Sequence, residues 1–246
     1  MATQQLLRLT DDLSAAMAPL RFSAPVAHVY NPLDYAAAPH RRYIERFGGL
    51  GATVLMVGMN PGPWGMAQTG VPFGAVEPAR DWLGLGDEPV GKPPEEHPKR
   101  PVDGFACRRN EVSGQRLWGW ARDAFETPEQ FFARFFVANY CPLLFLEEGA
   151  RNVTPDKLKA AERNALLPPC DLALRQTVEI LDVEWVIGIG QWAEKRIHAA
   201  LDGSGVAKSV RVGRILHPSP ASPAANRGWA PEATRQLRDL GIGPWA

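Results

Sequence analysis

The sequence is poor in the features that mark a secreted or membrane-bound protein. Its 3 cysteines, Cys107, Cys141 and Cys170, stand far apart. They form neither a paired metal motif nor an even-numbered disulfide framework, so a reducing compartment is expected. No apolar run reaches the roughly 18 residues that a membrane helix needs, and the N-terminus lacks the pattern of an export signal. We therefore expect neither export nor a membrane partner.

The sequence also lacks a net charge. Lys and Arg total 27, Asp and Glu total 27, and the formal net charge at pH 7 is zero. This balance argues against a protein that coats nucleic acid by charge alone. Basic residues nevertheless gather in two places, for which a solvated surface is the simplest explanation: Lys99, Arg100, Arg108 and Arg109 in the first, and Arg151, Lys157 and Lys159 in the second.

What is present is an ordinary globular composition. Hydrophobic residues make up 45% of the chain and charged residues 22%, which excludes a disordered or fibrous protein. A chain of this length, without internal repeats or a linker, predicts one domain over residues 1–246. We expect residues 1–20 to form a peripheral N-terminal helix.

Short apolar segments alternate with helical patterns along the chain. Such alternation predicts a parallel sheet with helices on both faces. The apolar segments that predict buried strands are 53–59, 135–140, 184–189 and 210–216. The segments that predict helices are 3–18, 40–47, 77–83, 113–125, 171–181, 192–201 and 232–240, with further helix starts at Thr127 and Thr154.

The predicted strands end at residues that can meet in space. In open α/β sheets, ligands bind beyond the carboxyl ends of the strands. Those ends carry Asn60, Asn139, Gly190 and His217. Because three of these residues have polar side chains, we expect them to converge on one crevice.

Two glycine-rich turns follow predicted strands. Residues 58–65, GMNPGPWG, let backbone N–H groups approach a ligand, but no Gly-Lys-Ser/Thr follows, so this is not a phosphate-binding loop of the common type. The alternative is a tight exit turn with Asn60 in a left-handed conformation. The second turn, 188–193, fits a GxGxxA nucleotide pattern but lacks the acid expected downstream, which favours a strand–helix packing turn.

Single polar residues also have structural explanations. A lone histidine such as His217 is usually a structural hydrogen-bonding group. Asn139 can tie down a loop, or it can recognise a ligand edge that offers one donor and one acceptor. The other histidines are His28, His40, His97 and His198. They share no metal-ligand spacing with each other or with cysteine, so no metal is expected.

Several segments together resemble one family. The sequence LMVGMNPGPWGMAQTGVPFG within 55–84, EVSGQRLWGW at 111–120, FFVANYCPLLFL at 135–146 and LHPSPASPAANRGW at 216–229 are similar to the single-strand-selective monofunctional uracil-DNA glycosylases, a branch of the uracil-DNA glycosylase superfamily. The resemblance implies a three-layer α/β/α fold with a short, mostly parallel four-stranded sheet. It also implies hydrolysis of the N-glycosidic bond of uracil and of 5-modified uracils such as 5-hydroxymethyluracil. The products are a free base and an abasic site, which initiates base excision repair without metal or organic cofactor.

The resemblance also implies roles for individual residues. Asn60 would position the attacking water, and His217 would donate to O2 of the departing base together with the backbone N–H of Met59. Asn139 would pair with O4 and N3–H of uracil, Phe73 would stack on the base, and Gly62 and Met66 would lie along its C5 side.

The partner implied by the resemblance is single- or double-stranded DNA that contains uracil or a 5-modified uracil, bound by a monomer. Such a protein is cytoplasmic and nucleoid-associated in bacteria and nuclear in eukaryotes. The wedge that fills the place of the flipped base corresponds to Ser219, Pro220, Ala221, Ser222, Asn226 and Arg227, and Arg151 and Lys157 would contact phosphates. Ala221 and Ser222 stand where better-known members carry Arg and Asn, so this wedge should hold duplex less firmly.

The sequence leaves two alternative functional interpretations. The mismatch-specific thymine/uracil glycosylases share a similar first motif. Iron–sulfur branches need four thiolates and are disfavoured, and no lysine stands at either motif to support a lyase step. The alternative from a different functional class is a non-catalytic α/β module that binds nucleic acid. The presence of Asn60, Asn139 and His217 together argues against it.

Overall fold

The computed structural model describes residues 1–243, so the last three residues of the predicted domain 1–246 lie outside the described part. The strands are β1 (Val26–Tyr30), β2 (Val54–Gly58), β3 (Phe135–Asn139), β4 (Leu144–Glu147), β5 (Asn152–Val153), β6 (Trp185–Ile189) and β7 (Arg211–Ile215). The α-helices are α1 (Ala2–Met17), α2 (Pro32–Tyr35), α3 (Ala37–Phe47), α4 (Met66–Thr69), α5 (Val112–Ala124), α6 (Pro128–Phe132), α7 (Ala160–Leu181), α8 (Gln191–Leu201), α9 (Pro223–Asn226) and α10 (Trp229–Asp239). Single 3-10 turns lie at Gly104–Ala106, Pro155–Lys157 and Gly205–Lys208, and a π-helical turn at Pro78–Trp82.

The four predicted strands form one parallel sheet in the order β3-β2-β6-β7. Every residue of the central strand β2 is buried, as expected for a strand covered on both faces. The chain runs from β2 to β3 on one side and later places β6 on the other, so the strand order reverses at β2. Such a switch point opens a crevice at the carboxyl ends of the strands. The predicted fold class is confirmed.

A second, antiparallel sheet was not predicted. It has the order β1-β4-β5, with Tyr30 opposite Leu144 and Phe145 opposite Val153. Its strands are short and β1 is only partly buried, which leaves a weak periodic signal. This sheet brings residues 144–153 next to the end of β3.

Helix α7 corrects a predicted boundary. The sequence predicts a helix over 171–181. Proline inside a helix removes a backbone hydrogen bond and usually ends or bends it. The observed helix begins at Ala160 and includes Pro168 and Pro169. It buries Leu166, Cys170 and Leu174 and packs on α1 and α8, so tertiary packing outweighs the lost backbone hydrogen bonds.

Smaller differences have local causes. The predicted helix 77–83 is a π-helical turn at Pro78–Trp82, and the start at Thr154 leads to only one 3-10 turn, Pro155–Lys157. Thr127 does cap α6, accepting a hydrogen bond from the Gln130 N–H. Helix α1 buries Leu6, Leu7 and Met17 and packs on α3 and α7.

In residues 1–243, no helix combines the length and the apolar character that a membrane span requires.

Candidate functional site

A single cleft brings together side chains from three strand exits. Asn60 follows β2, Asn139 ends β3 and His217 follows β7, and all three line a cavity of about 540 Å³. A volume of this order is typical of small-molecule sites. The cleft lies where the strand order reverses. Met59, Gly62 and Phe73 also line it.

Asn60 is fixed by its amide nitrogen. Its Nδ2 donates to the Leu143 carbonyl at 3.2 Å. The bond assigns the donor side of the amide to the protein and leaves Oδ1 to accept a hydrogen bond from water. The backbone of Asn60 is not left-handed, so the conformation expected for a tight exit turn is not the one observed.

Asn139 and Phe73 pack against the same glycine. A Cβ on Gly58 would overlap Asn139 Oδ1 and the Phe73 ring, so only glycine allows both side chains to sit there. Asn139 Nδ2 lies 3.2 Å from the sulfur of Met66. Sulfur is a weak acceptor, and a ligand carbonyl can replace it. Met66 is itself buried and lines a neighbouring apolar cavity rather than this cleft.

Phe73 has a backbone conformation that few residues other than glycine adopt. Its φ is 54°, and such strain persists only where the surroundings enforce it. Ala75 N–H donates to the Phe73 carbonyl at 2.7 Å. Gly114 of α5 lies so close to that carbonyl that a Cβ there would overlap it. The ring is therefore held in one place at the cleft wall.

His217 stands opposite Phe73, with the two ring centres 6.2 Å apart. Burial lowers the pKa of His217, so its imidazole is neutral at pH 7 and carries one N–H donor. The turn at Gly190, whose φ is 95°, packs against the His217 Cβ. This confirms that residues 188–193 form a packing turn.

Glu111 is a cleft residue that sequence reasoning missed. Its carboxyl lies against Gly62 and Gly65, where an added Cβ would overlap it. The Oε2 atom is buried without a hydrogen-bond partner, and burial raises the pKa of this carboxyl to about 7. No local pattern marks it, because its contacts are with a distant turn.

The segment predicted to form the wedge borders the cleft. Ser219 and Pro220 line the cleft, whereas Ala221, Asn226 and Arg227 are exposed, and Ser222 caps α9. Arg116 of α5, also missed from the sequence, ties this segment down. Its guanidinium donates to the carbonyls of Pro218 at 3.1 Å and Ser219 at 3.3 Å, and to Asn226 Oδ1 at 2.8 Å.

The two predicted phosphate contacts are not in the cleft lining. Arg151 is exposed and paired with Glu147 at 2.9 Å, and Lys157 is exposed. Their segment reaches the cleft through Asn152 and Thr154 instead. Within residues 1–243, no cluster of three or more His, Cys, Asp or Glu side chains has an arrangement that could hold a metal ion.

Comparisons with known proteins agree on one family. The model of the uracil DNA glycosylase superfamily matches residues 45–238. A single-strand selective monofunctional uracil-DNA glycosylase of Rattus norvegicus is 50% identical over 232 residues, covering 94% of this chain and 82% of the relative. The protein of that name from Bos taurus is 51% identical over 241 residues, covering 98% and 86%.

Solved structures extend the likeness to the fold. The crystal structure of wild-type Pedobacter heparinus SMUG2 superposes with a TM-score of 0.64 at 16% identity, covering 96% of this chain and 99% of that one. At this identity the likeness concerns the fold alone.

Proposed function

The chain belongs to the uracil-DNA glycosylase superfamily, and from that membership we propose that its cleft holds an everted uracil between Asn139, Phe73 and His217. The protein is a monofunctional uracil-DNA glycosylase that acts in DNA repair, on DNA that contains uracil. The observation that carries the site assignment is that Asn60, Asn139 and His217 line the same cleft.

Recognition of the base rests on Asn139 and Phe73. A base must leave the helical stack before its glycosidic bond can be reached. Asn139 Nδ2 then donates to O4, and Oδ1 accepts from N3–H. Cytosine offers the reverse order of donor and acceptor and would leave the buried amide unpaired, a costly arrangement. Phe73 supports the ring by stacking, which contributes about 1–3 kcal/mol for a base on an aromatic side chain.

Cleavage is assisted by donors at O2. As the bond from C1′ to N1 breaks, its electron pair leaves with the base and the sugar becomes cationic. A neutral His217 donates a hydrogen bond to O2 of the uracil anion, and the backbone N–H of Met59 supplies a second. Donors oriented in a dry cleft stabilise such a charge by a few kcal/mol.

Asn60 holds the water that completes the reaction. The free Oδ1 accepts a hydrogen bond from water, whose oxygen bonds to C1′ while its proton passes to solvent or base. An amide is a poor general base, so the sugar must be largely cationic before the water reacts. The products are free uracil and an abasic site, and no metal or organic cofactor enters.

The C5 side of the base faces the Gly62 turn. Gly62 has no side chain to exclude a 5-substituent, so 5-hydroxymethyluracil is also a substrate. Met66 supports the Asn139 amide from behind and lines the neighbouring apolar cavity rather than the cleft, so the C5 side is bounded by the Gly62 turn. Thymine is rejected because its methyl displaces a bound water that it cannot replace.

The protein acts as a monomer on both single- and double-stranded DNA. Ser219, Pro220, Ala221, Ser222, Asn226 and Arg227 form the wedge, and Arg151 and Lys157 contact phosphates further along the strand. The neutral pair Ala221 and Ser222 weakens the hold on duplex. The protein acts where the DNA is, in the cytoplasm of a bacterium or the nucleus of a eukaryote. It does so as a single domain.

A labelled uracil oligonucleotide, treated with protein and then with alkali, tests the site. Strand breaks made by the wild type and lost in Asn60→Ala and His217→Ala support the assignment. Binding without breaks in the wild type would support a non-catalytic nucleic-acid module instead. The relatives favour the single-strand selective branch over the mismatch-specific one, and equal cutting of uracil and thymine opposite guanine would reverse that preference.

A further inference from the structure

A cationic cluster borders the cleft at Trp64. Trp64 lines the cleft, and two guanidinium groups lie over its indole. The Arg100 Cζ is 5.0 Å and the Arg109 Cζ 5.4 Å from the ring centre. An indole attracts a cation placed in this way. We refer to Trp64, Arg100 and Arg109 as the Trp64 cluster.

The positive charge of the Trp64 cluster has no carboxylate partner. In residues 1–243, neither Arg100 nor Arg109 forms an ion pair, and neither do their neighbours Lys99 and Arg108. By contrast, Arg151, the predicted phosphate contact, is paired with Glu147. In a chain whose net charge is zero, this leaves a local positive potential beside the cleft.

The backbone that carries Arg100 is held rigidly. Arg100 N–H donates to the His97 carbonyl at 2.8 Å, and Lys99 N–H donates to His97 Nδ1 at 3.0 Å. The Tyr30 hydroxyl donates to the Arg100 carbonyl at 2.9 Å. The Arg100 Nε is buried without a hydrogen-bond partner. A fixed guanidinium loses less conformational entropy when it binds an anion.

The chemistry of the cluster selects a phosphodiester. Two guanidinium groups lie over the indole, so the cluster presents positive charge together with an aromatic ring. Guanidinium groups match the geometry of phosphate oxygens. The cleft beside them accommodates one everted nucleotide, whose neighbours carry phosphates on either side.

We propose that Arg100 and Arg109, held over Trp64, bind phosphates of the DNA strand that flank the everted nucleotide. This inference rests on the proposed function. The wedge residues Ala221 and Ser222 carry no charge. We therefore assign the binding of single-stranded DNA to the Trp64 cluster.

Binding measured against salt concentration tests the proposal. The probe is a fluorescent single-stranded oligonucleotide with one tetrahydrofuran residue, an abasic analogue that the enzyme does not cleave. Each phosphate contact on a single strand contributes about 0.7 to the slope of log K against log salt. The variant R100Q/R109Q should lose about 1.4 from that slope and bind at least tenfold more weakly at low salt.

Two further variants distinguish the loss of phosphate contacts from a folding defect. Arg109 is exposed, so R109Q alone, which removes one guanidinium from Trp64, should leave the fold intact and lower the slope by about 0.7. Arg211 serves as a control, because its guanidinium also lies over an indole, 4.4 Å from the Trp185 ring centre. It is paired with Glu184 at 3.2 Å and lies at the start of β7, away from the strand ends that form the cleft. R211Q should bind DNA as the wild type does.

The outcomes are distinguishable. If R109Q and R100Q/R109Q keep the wild-type slope and affinity while the wild type still cuts uracil DNA, the Trp64 cluster is not a phosphate site and the inference is wrong. If the wild type cuts no uracil DNA, the proposed function fails instead. An equal loss of DNA affinity in R211Q would also overturn the inference, because removing any positive charge would then weaken binding.

Discussion

The ring centres of Phe73 and His217 lie 6.2 Å apart, and their planes are inclined at 46°. The two rings therefore do not stack on each other. A base that stacks on Phe73 stays within reach of the imidazole, and Asn139 reaches it from the end of β3. Support of the base and stabilisation of its departing charge thus come from one small volume, although the residues are far apart in the chain.

Asn139→Ala should remove the hydrogen bonds to O4 and N3–H. Two such bonds account for about 1–3 kcal/mol, so kcat/KM for uracil DNA should fall by about 5- to 150-fold. Single-turnover kinetics on a single-stranded substrate measures this. Asn164→Ala, an exposed position on α7, is the control and should keep the wild-type rate. A loss shared by both variants would count against the role of Asn139.

Glu111→Gln should change how stability depends on pH. The carboxyl ionises near its ordinary pKa of 4.5 in the unfolded chain but at about 7 in the folded protein. Between these values the unfolded state binds fewer protons, so the wild type loses stability as pH rises. A shift of this size corresponds to about 3 kcal/mol. Denaturant unfolding at pH 4.5 and pH 8 should show this loss in the wild type and little of it in Glu111→Gln; equal pH dependence would contradict it.

The same carboxyl should affect the rate. Above pH 7 Glu111 becomes an anion in the cleft in which the uracil anion forms, and like charges oppose each other. We expect the single-turnover rate of the wild type to decline as pH rises through about 7, and that of Glu111→Gln to stay level. Burial lowers the pKa of His217, which moves its titration to the acid side of this range. A matching decline in Glu111→Gln would assign the titration to another group.

Arg116→Gln should loosen the wedge. It removes the hydrogen bonds to the Pro218 and Ser219 carbonyls and to Asn226. Because the wedge acts where a base leaves a duplex, we expect about a tenfold loss on duplex uracil DNA, about 1.4 kcal/mol, and less than threefold on single strands. Parallel rate measurements on both substrates test this. Arg175→Gln removes a similar bond, to the Ala200 carbonyl at 2.8 Å, and should spare both rates; an equal effect of Arg116→Gln on the two substrates would exclude a role specific to duplex.

The parallel sheet was predictable because each strand carries its own signal. β2 is a continuous apolar run buried on both faces, and the residues that follow β2, β3 and β7 must meet at one edge. The convergence of Asn60, Asn139 and His217 follows from that topology alone.

What the sequence did not predict depends on contacts between distant segments. β1 is held by its pairing with β4 and has no strong pattern by itself. Helix α7 continues through Pro168 and Pro169 because other helices cover it. Glu111 contacts the Gly62 turn and Arg116 contacts the wedge. Contacts of this kind between distant segments leave no periodic pattern in the sequence.

A crystal structure of the protein with free uracil would show directly whether the cleft holds the base as proposed. We expect one uracil to stack on Phe73, with O4 and N3–H within hydrogen-bond distance of the Asn139 amide and O2 within hydrogen-bond distance of a His217 ring nitrogen. A uracil bound in the cleft without contact to both side chains, or bound elsewhere in the protein, would contradict it.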